Sequence, residues 1–141
     1  APYAAVYIPG GHGAMLGLPK NTDVGKVLNW AHNRDLYTLA LCHGPAALLA
    51  AKTDQGFLYA GYKMTVFPDS VDKQTPMIGY LPGPMPWWVC QELTDLSAQI
   101  INTKADNSCH VDRRLISGAS PKAANDFGRL AATTLLEAAK S

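Results

Sequence analysis

The stretch Tyr37-Thr-Leu-Ala-Leu-Cys42-His43-Gly44-Pro45-Ala-Ala-Leu-Leu-Ala50 changes character at its centre. An apolar run reaches Cys42, and glycine, proline and small residues then take over at once. That order reads as a buried strand over 37–42, a sharp turn, and a helix from about Gly44 to Ala51, with a thiol on the turn. A strand covered on both faces belongs to a parallel sheet flanked by helices, which places the chain in the α/β class. At the carboxyl edge of such a sheet the cysteine faces the positive end of the following helix, and this favours thiolate. The competing reading is plain packing, since free cysteine is among the most buried residue types and usually inert. His43 and the Gly44-Pro45 turn weigh toward reactivity.

The flanking sequence extends the same pattern. Residues 3–8 read as an apolar strand closed by Pro9-Gly-Gly-His-Gly13. Val24, Val27, Leu28 and Ala31 predict a helix from Asn21 or Thr22 to about Asn33, with Asn21, Thr22 or Asp23 as its cap. A third strand, Tyr62–Phe67, stops at Pro68-Asp69. The segment from there to Pro86 is rich in proline and glycine and is long for slack, so it reads as a functional loop. Pro86 starts a helix through Trp87, Trp88, Val89, Leu93 and Leu96. Ile100-Ile-Asn follows, then a hairpin of Ser108–Asp112 with Arg113–Ser117. Ser120-Pro121 caps a last helix in which Phe127, Leu130, Ala131 and Leu135 recur at helical spacing. The whole fits one α/β unit over 1–141.

The chain has 141 residues, 48% hydrophobic and 16% charged, with a formal net charge of +1. This near-neutral balance carries no basic stripe and argues against a nucleic-acid partner. No run approaches the roughly 18 apolar residues of a membrane span. Three cysteines without paired spacing suit a reducing compartment, so cytoplasm is expected. Ala1-Pro2 leads almost directly into a strand that wants neighbours on both sides, and the chain is short of strands to supply them. A carboxyl-terminal portion of a longer protein is therefore expected.

Several constellations bear on chemistry. Gly11-x-Gly13-x-x-x-Gly17 loosely matches a dinucleotide loop, but Leu18-Pro19 interrupts where a long helix should open, and no Walker lysine follows. Glycines at a strand end more plausibly let backbone amides approach a ligand, where two such amides stabilise an oxyanion. A plain tight turn is the alternative. A nucleophilic thiol needs a base and the base an orienting acid. His43 is adjacent to Cys42, although a satisfied half-buried histidine is the bland alternative. Asp69 and Asp72 are the candidate acids, and spacing does not choose between them; either could cap or turn instead. His12, His32, His43 and His110 lack metal-ligand spacing. Cys90 and Cys109 read as structural. Trp87-Trp88 reads as a core anchor, or as part of an exposed apolar patch in a region rich in proline and methionine.

Taken in order, Pro9-Gly-Gly-His-Gly, Leu39-Ala-Leu-Cys-His-Gly-Pro-Ala-Ala and Phe67-Pro-Asp-Ser-Val-Asp-Lys-Gln closely resemble the ThiJ/PfpI superfamily. The resemblance is to the branch of glyoxalase III and protein deglycase enzymes first known as heat-shock holdase chaperones. Thr75-Pro-Met-Ile-Gly-Tyr-Leu-Pro-Gly, Asp112-Arg-Arg-Leu-Ile-Ser-Gly and Ser120-Pro-Lys-Ala-Ala-Asn fit the same branch. The resemblance implies a flavodoxin-like, doubly wound, mostly parallel sheet with a hairpin near the C-terminus. It implies Cys42, His43 and Asp72 as a catalytic triad, with Asp72 preferred to Asp69 by its place in the motif. It implies Gly10, Gly11 and His12 around the oxyanion and substrate, with amides near Gly11 and His43 as donors.

The activity implied is cofactor-free conversion of methylglyoxal to lactate, with reversal of early carbonyl adducts on proteins. The partners implied are small reactive aldehydes, glycated or unfolded proteins and a second copy in a homodimer. The family's upstream half carries a glutamate beside the nucleophile and a His/Glu metal site, and neither is assignable here. That upstream half is itself an expected partner. A cysteine amidase or peptidase using the same triad, and a chaperone in which the thiol is incidental, are the competing functions.

Overall fold

A computed structural model describes residues 3–140, so the Ala1-Pro2 entry to the first strand lies outside the described residues. Strand β1 (Ala5–Ile8) is followed by short 3-10 turns at His12–Met15 and Leu18–Lys20. Helix α1 (Thr22–Asn33) leads to β2 (Tyr37–Leu41) and then to a 3-10 helix over Gly44–Ala51. Of the three candidate caps on α1, Asn21 takes the role: its side chain accepts from the amides of Asp23 and Val24 at 2.9 and 3.1 Å.

The remaining elements are short until the end of the chain. They are β3 (Lys52–Thr53), β4 (Gly56–Phe57), β5 (Lys63–Met64), α2 (Asp69–Asp72), α3 (Val89–Asp95) and β6 (Gln99–Ile100). Strands β7 (Cys109–Asp112) and β8 (Leu115–Gly118) form the hairpin, and α4 (Ala124–Ala139) closes the chain.

The main sheet runs β1-β2-β8-β7. The first three strands are mutually parallel, and β7 is antiparallel to β8. The central residues of β2, Thr38, Leu39 and Ala40, are buried, as a doubly covered strand requires. On one face Ile8, Ala40 and Leu115 pack with Leu28 of α1 and Leu48 of the 3-10 helix. On the other, Leu39 and Ile116 pack with Phe127 and Ala131 of α4. Helices thus cover both faces of a mostly parallel sheet, the flavodoxin-like arrangement.

Four expectations need correction. The helix after Cys42 is 3-10 throughout, a winding that stacks residues i and i+3. Pro45, Leu48 and Ala51 share one face at that period and are all buried. The third strand is only Lys63–Met64, and it pairs with β6 instead of joining the main sheet. The Lys63 amide donates to the Asp112 carboxylate and the Thr65 amide to the Ser117 hydroxyl, so side chains take the place of a main-chain ladder. The second hairpin strand begins at Leu115, because Arg113, with φ 55°, and Arg114 make the turn. Helix α3 starts at Val89, leaving Pro86-Trp87-Trp88 as an extended lead-in. Strand β1 pairs only with β2 among the described residues, and Tyr7 is exposed. No described helix is long and apolar enough to cross a membrane.

Two neutral groups in the core set an alkaline limit. Burial pushes the Tyr59 hydroxyl up to about 12, and it donates to Thr38 at 3.4 Å. Burial, reinforced by the nearby Asp69 charge, likewise pushes the Cys90 thiol up to about 12. Both ionise first in the unfolded chain, which then binds fewer protons than the folded one. Their contribution is complete below the unfolded values of 9.0 and 10.0 and is lost as pH rises toward 12. Urea unfolding at stepped pH should show stability declining between about pH 9 and 12; a flat profile there would contradict this account.

Candidate active site

Strand β2 ends one residue before Cys42, and the backbone there turns into the left-handed region at φ 63°. A non-glycine residue in that region costs of order 1–3 kcal/mol and persists only where its surroundings fix it. Here the Cys42 amide donates to the Gly118 carbonyl at 2.8 Å, and the Cys42 carbonyl accepts from the Phe67 amide at 2.9 Å. Glycines make room on both sides. A Cβ on Gly10 would meet Cys42 Cβ at 2.7 Å and the Leu41 carbonyl oxygen at 2.8 Å. A Cβ on Gly44 would stand 2.6 Å from the Ile8 carbonyl oxygen. Gly10 therefore serves the site by letting β1 close against the thiol turn.

The turn delivers the imidazole of His43 back beside the sulfur, with Cys42 Sγ 3.5 Å from His43 Nδ1. On the other side of the ring, His43 Nε2 lies 2.7 Å from Asp72 Oδ2. The second oxygen of Asp72 is also used, at 2.8 Å from His12 Nε2. An ionised carboxylate only accepts, so both Nε2 atoms carry the proton and His43 Nδ1 presents a lone pair to the thiol. The His43 ring lies between His12, with centroids 4.1 Å apart, and Phe67, stacked at 4.5 Å. Asp72 and His43 are 0% and 1% exposed, whereas His12 retains 21%. Solvent reaches the cluster from the His12 side, where the exposed Tyr80 ring stands 5.6 Å away.

The two candidate acids separate cleanly. Asp72, at the end of α2, faces the imidazoles. Asp69, at the start of the same turn, accepts from the amides of Cys90 and Gln91 at 3.0 Å each and caps α3. The functional loop expected after Phe67 therefore begins as a helical turn with an aspartate at each end. The His12 link to Asp72 spans 60 positions, and no local spacing in the sequence reports it. The amides of Gly11 and His43 are directed at the Cys42 sulfur.

The electrostatics differ from the sequence expectation of a ready thiolate. Burial pushes the Cys42 thiol above its ordinary value; the Gly11 and His43 amides pull the other way, and the Asp72 charge adds to the rise. Burial outweighs the helix terminus because Cys42 is only 6% exposed. Cys90 and Cys109 lie in α3 and β7, with thiols directed at backbone carbonyls.

Residues 1–134 match the model of the DJ-1/PfpI family. The chain belongs to that family. It is 48% identical over 136 residues to Protein/nucleic acid deglycase HchA of Escherichia coli, covering 96% of this chain and 48% of that protein. The chain thus spans about half the length of the curated relatives it matches. Among solved structures, it superposes on the Francisella tularensis Rapid Encystment Protein with a TM-score of 0.82 at 22% identity, over 94% of this chain and 58% of that one. Glyoxalase III from Candida albicans gives a TM-score of 0.73 at 23% identity, over 90% and 55%. At those identities the two structures support the fold.

The raised Cys42 thiol has a measurable sign. Its alkylation by iodoacetamide, mapped by mass spectrometry, should be slower at pH 7.5 than that of a free thiol of pKa about 8.5, and should accelerate past pH 9. Modification that is already complete and pH-independent at neutral pH would show a preformed thiolate instead.

Proposed function

We propose that the chain carries the nucleophile, base and acid of a cysteine-dependent enzyme acting on reactive carbonyls. Its reactions are conversion of methylglyoxal to lactate and removal of early carbonyl adducts from proteins. The observation that carries this reading is the continuous path from Cys42 through His43 to Asp72, at 3.5 and 2.7 Å, on a strained turn. The 48% identity to a protein named as a deglycase supports the choice of carbonyl chemistry over an amidase or peptidase. That name also includes nucleic acid as a substrate of the relative.

The chemistry follows from the geometry. His43 Nδ1 takes the Cys42 proton as sulfur adds to the aldehyde carbon, so the buried neutral thiol ionises only during attack. The new oxyanion meets the amides of Gly11 and His43, a stabilisation commonly worth a few kcal/mol in the transition state. His43 returns the thiol proton to the oxyanion, completing the hemithioacetal, and its freed nitrogen then carries the C1 proton to C2 by way of an enediolate, leaving a 2-hydroxy thioester. Water cleaves that thioester to lactate and restores the thiol. Cys42 supplies the sulfur that glutathione supplies elsewhere, so the reaction calls for no cofactor. Asp72 holds the His43 tautomer and balances the imidazolium.

Met77, Ile78 and Tyr80, which are 84%, 76% and 68% exposed, make an apolar surface on the segment that follows Asp72. This favours a second reading in which the same protein holds unfolded chains.

Proton NMR of the protein with methylglyoxal should show lactate accumulating without added glutathione. Cys42→Ala should lower the rate by roughly a thousandfold or more. Undiminished turnover by Cys42→Ala would refute the thiol mechanism. Suppression of aggregation of a heat-denatured client should survive that substitution, and its loss would tie holding to the thiol.

A further inference from the structure

Asp72 is one carboxylate shared by two imidazoles, and that sharing has a use beyond orienting His43. We propose that His12, His43 and Asp72 form a binding site for a zinc-like divalent transition metal, and that its occupancy shuts off Cys42. The binding half stands on geometry alone. The inhibitory half rests on the aldehyde-processing reading above.

The ligand atoms of the three residues lie within 4.8 Å of one another, and no other group of three converges in this way among the described residues. Two imidazoles and one carboxylate are the donor set of three-ligand zinc sites that leave a fourth position open. Zinc holds nitrogen and oxygen at about 2.0–2.2 Å, which places tetrahedral donors about 3.3 Å apart. The present contacts of 2.7 and 2.8 Å must therefore open by about half an ångström. The wider separations in the set, which reach no further than 4.8 Å, must close toward the same value. His43 is held between two rings, and Asp72 is fully buried at the end of α2. His12, with 21% exposure, supplies the way in.

Binding replaces two N–H···O bridges with one ion, and each imidazole keeps its proton by moving it from Nε2 to Nδ1. The lone pair of His43 Nε2 goes to the metal, and the ring proton moves to Nδ1, the nitrogen 3.5 Å from Cys42 Sγ. That nitrogen then donates and can no longer accept the thiol proton. The thiol stays outside the coordination sphere because it faces the opposite side of the ring. Imidazole-rich donors favour zinc, nickel and copper over magnesium and calcium.

Isothermal titration of the metal-free protein with zinc chloride tests the site. One zinc per chain is expected, with affinity lowered roughly tenfold or more in His12→Ala and unchanged in Cys42→Ala. Cobalt(II) should give the visible absorption of a four-coordinate site in the wild type and in Cys42→Ala, but not in His12→Ala. His12→Gln keeps a hydrogen-bonding partner for Asp72 and serves where the alanine variant misfolds; it too should lose the cobalt band. Zinc should stop lactate formation, and a chelator should restore it. Absence of binding, full affinity in both His12 variants, loss of affinity in Cys42→Ala, or equal binding of magnesium would each overturn the site. Zinc bound in the expected pattern by a protein that never consumes aldehyde would refute the functional reading and the inhibition while leaving the site intact.

Discussion

Cys42 occupies left-handed backbone space at φ 63°, and much of the molecule is arranged to keep it there. The strain is of order 1–3 kcal/mol, so a flexible chain would relax it. It persists because the segments on either side of the turn are already committed. Strand β2 is locked between β1 and β8, the Gly118 carbonyl takes the Cys42 amide, and the Phe67 amide takes its carbonyl. Gly10 and Gly44 contribute by absence: at either position a methyl group would drive into neighbouring atoms. The sheet thus acts as a jig that converts ordinary packing energy into a fixed direction for one sulfur atom.

Electrostatics then sets the resting state of that atom. Its burial keeps the thiol neutral, against the pull of two amides. The neighbouring imidazole is held in one tautomer by Asp72 and in one plane by Phe67 and His12. At rest the site holds a neutral thiol beside an imidazole nitrogen, not a standing thiolate. A neutral buried thiol is also less exposed to oxidation than a free anion.

Much of this was legible in the residues, and the exceptions have physical causes. A continuous apolar run located β2, and helical periodicity located α1 and α4, because each of these is buried over a long, regular stretch. The short elements leave no such signal where their partners are distant in sequence. Lys63–Met64 lost its place in the sheet to side-chain bonds from Asp112 and Ser117, and Pro86 yielded the start of α3 to a cap from Asp69. The Cys42–His43 pair announced itself through the turn that follows it. The choice between Asp69 and Asp72 was carried by family resemblance and not by spacing, since both sit on one helical turn. The His12–Asp72 contact left no local signal, and the neutral state of the thiol depends on how many atoms crowd it, which composition does not disclose.

The one-turn helix α2 carries a further implication. Its first aspartate grips the opening amides of α3, and its last grips the two imidazoles, so the same four residues are anchored at both ends. Damage to packing around α3 is therefore transmitted to Asp72 without touching it. A variant far from the sulfur could pass every assay of folding and still be silent, its aspartate turned a few degrees away from the ring it should steady.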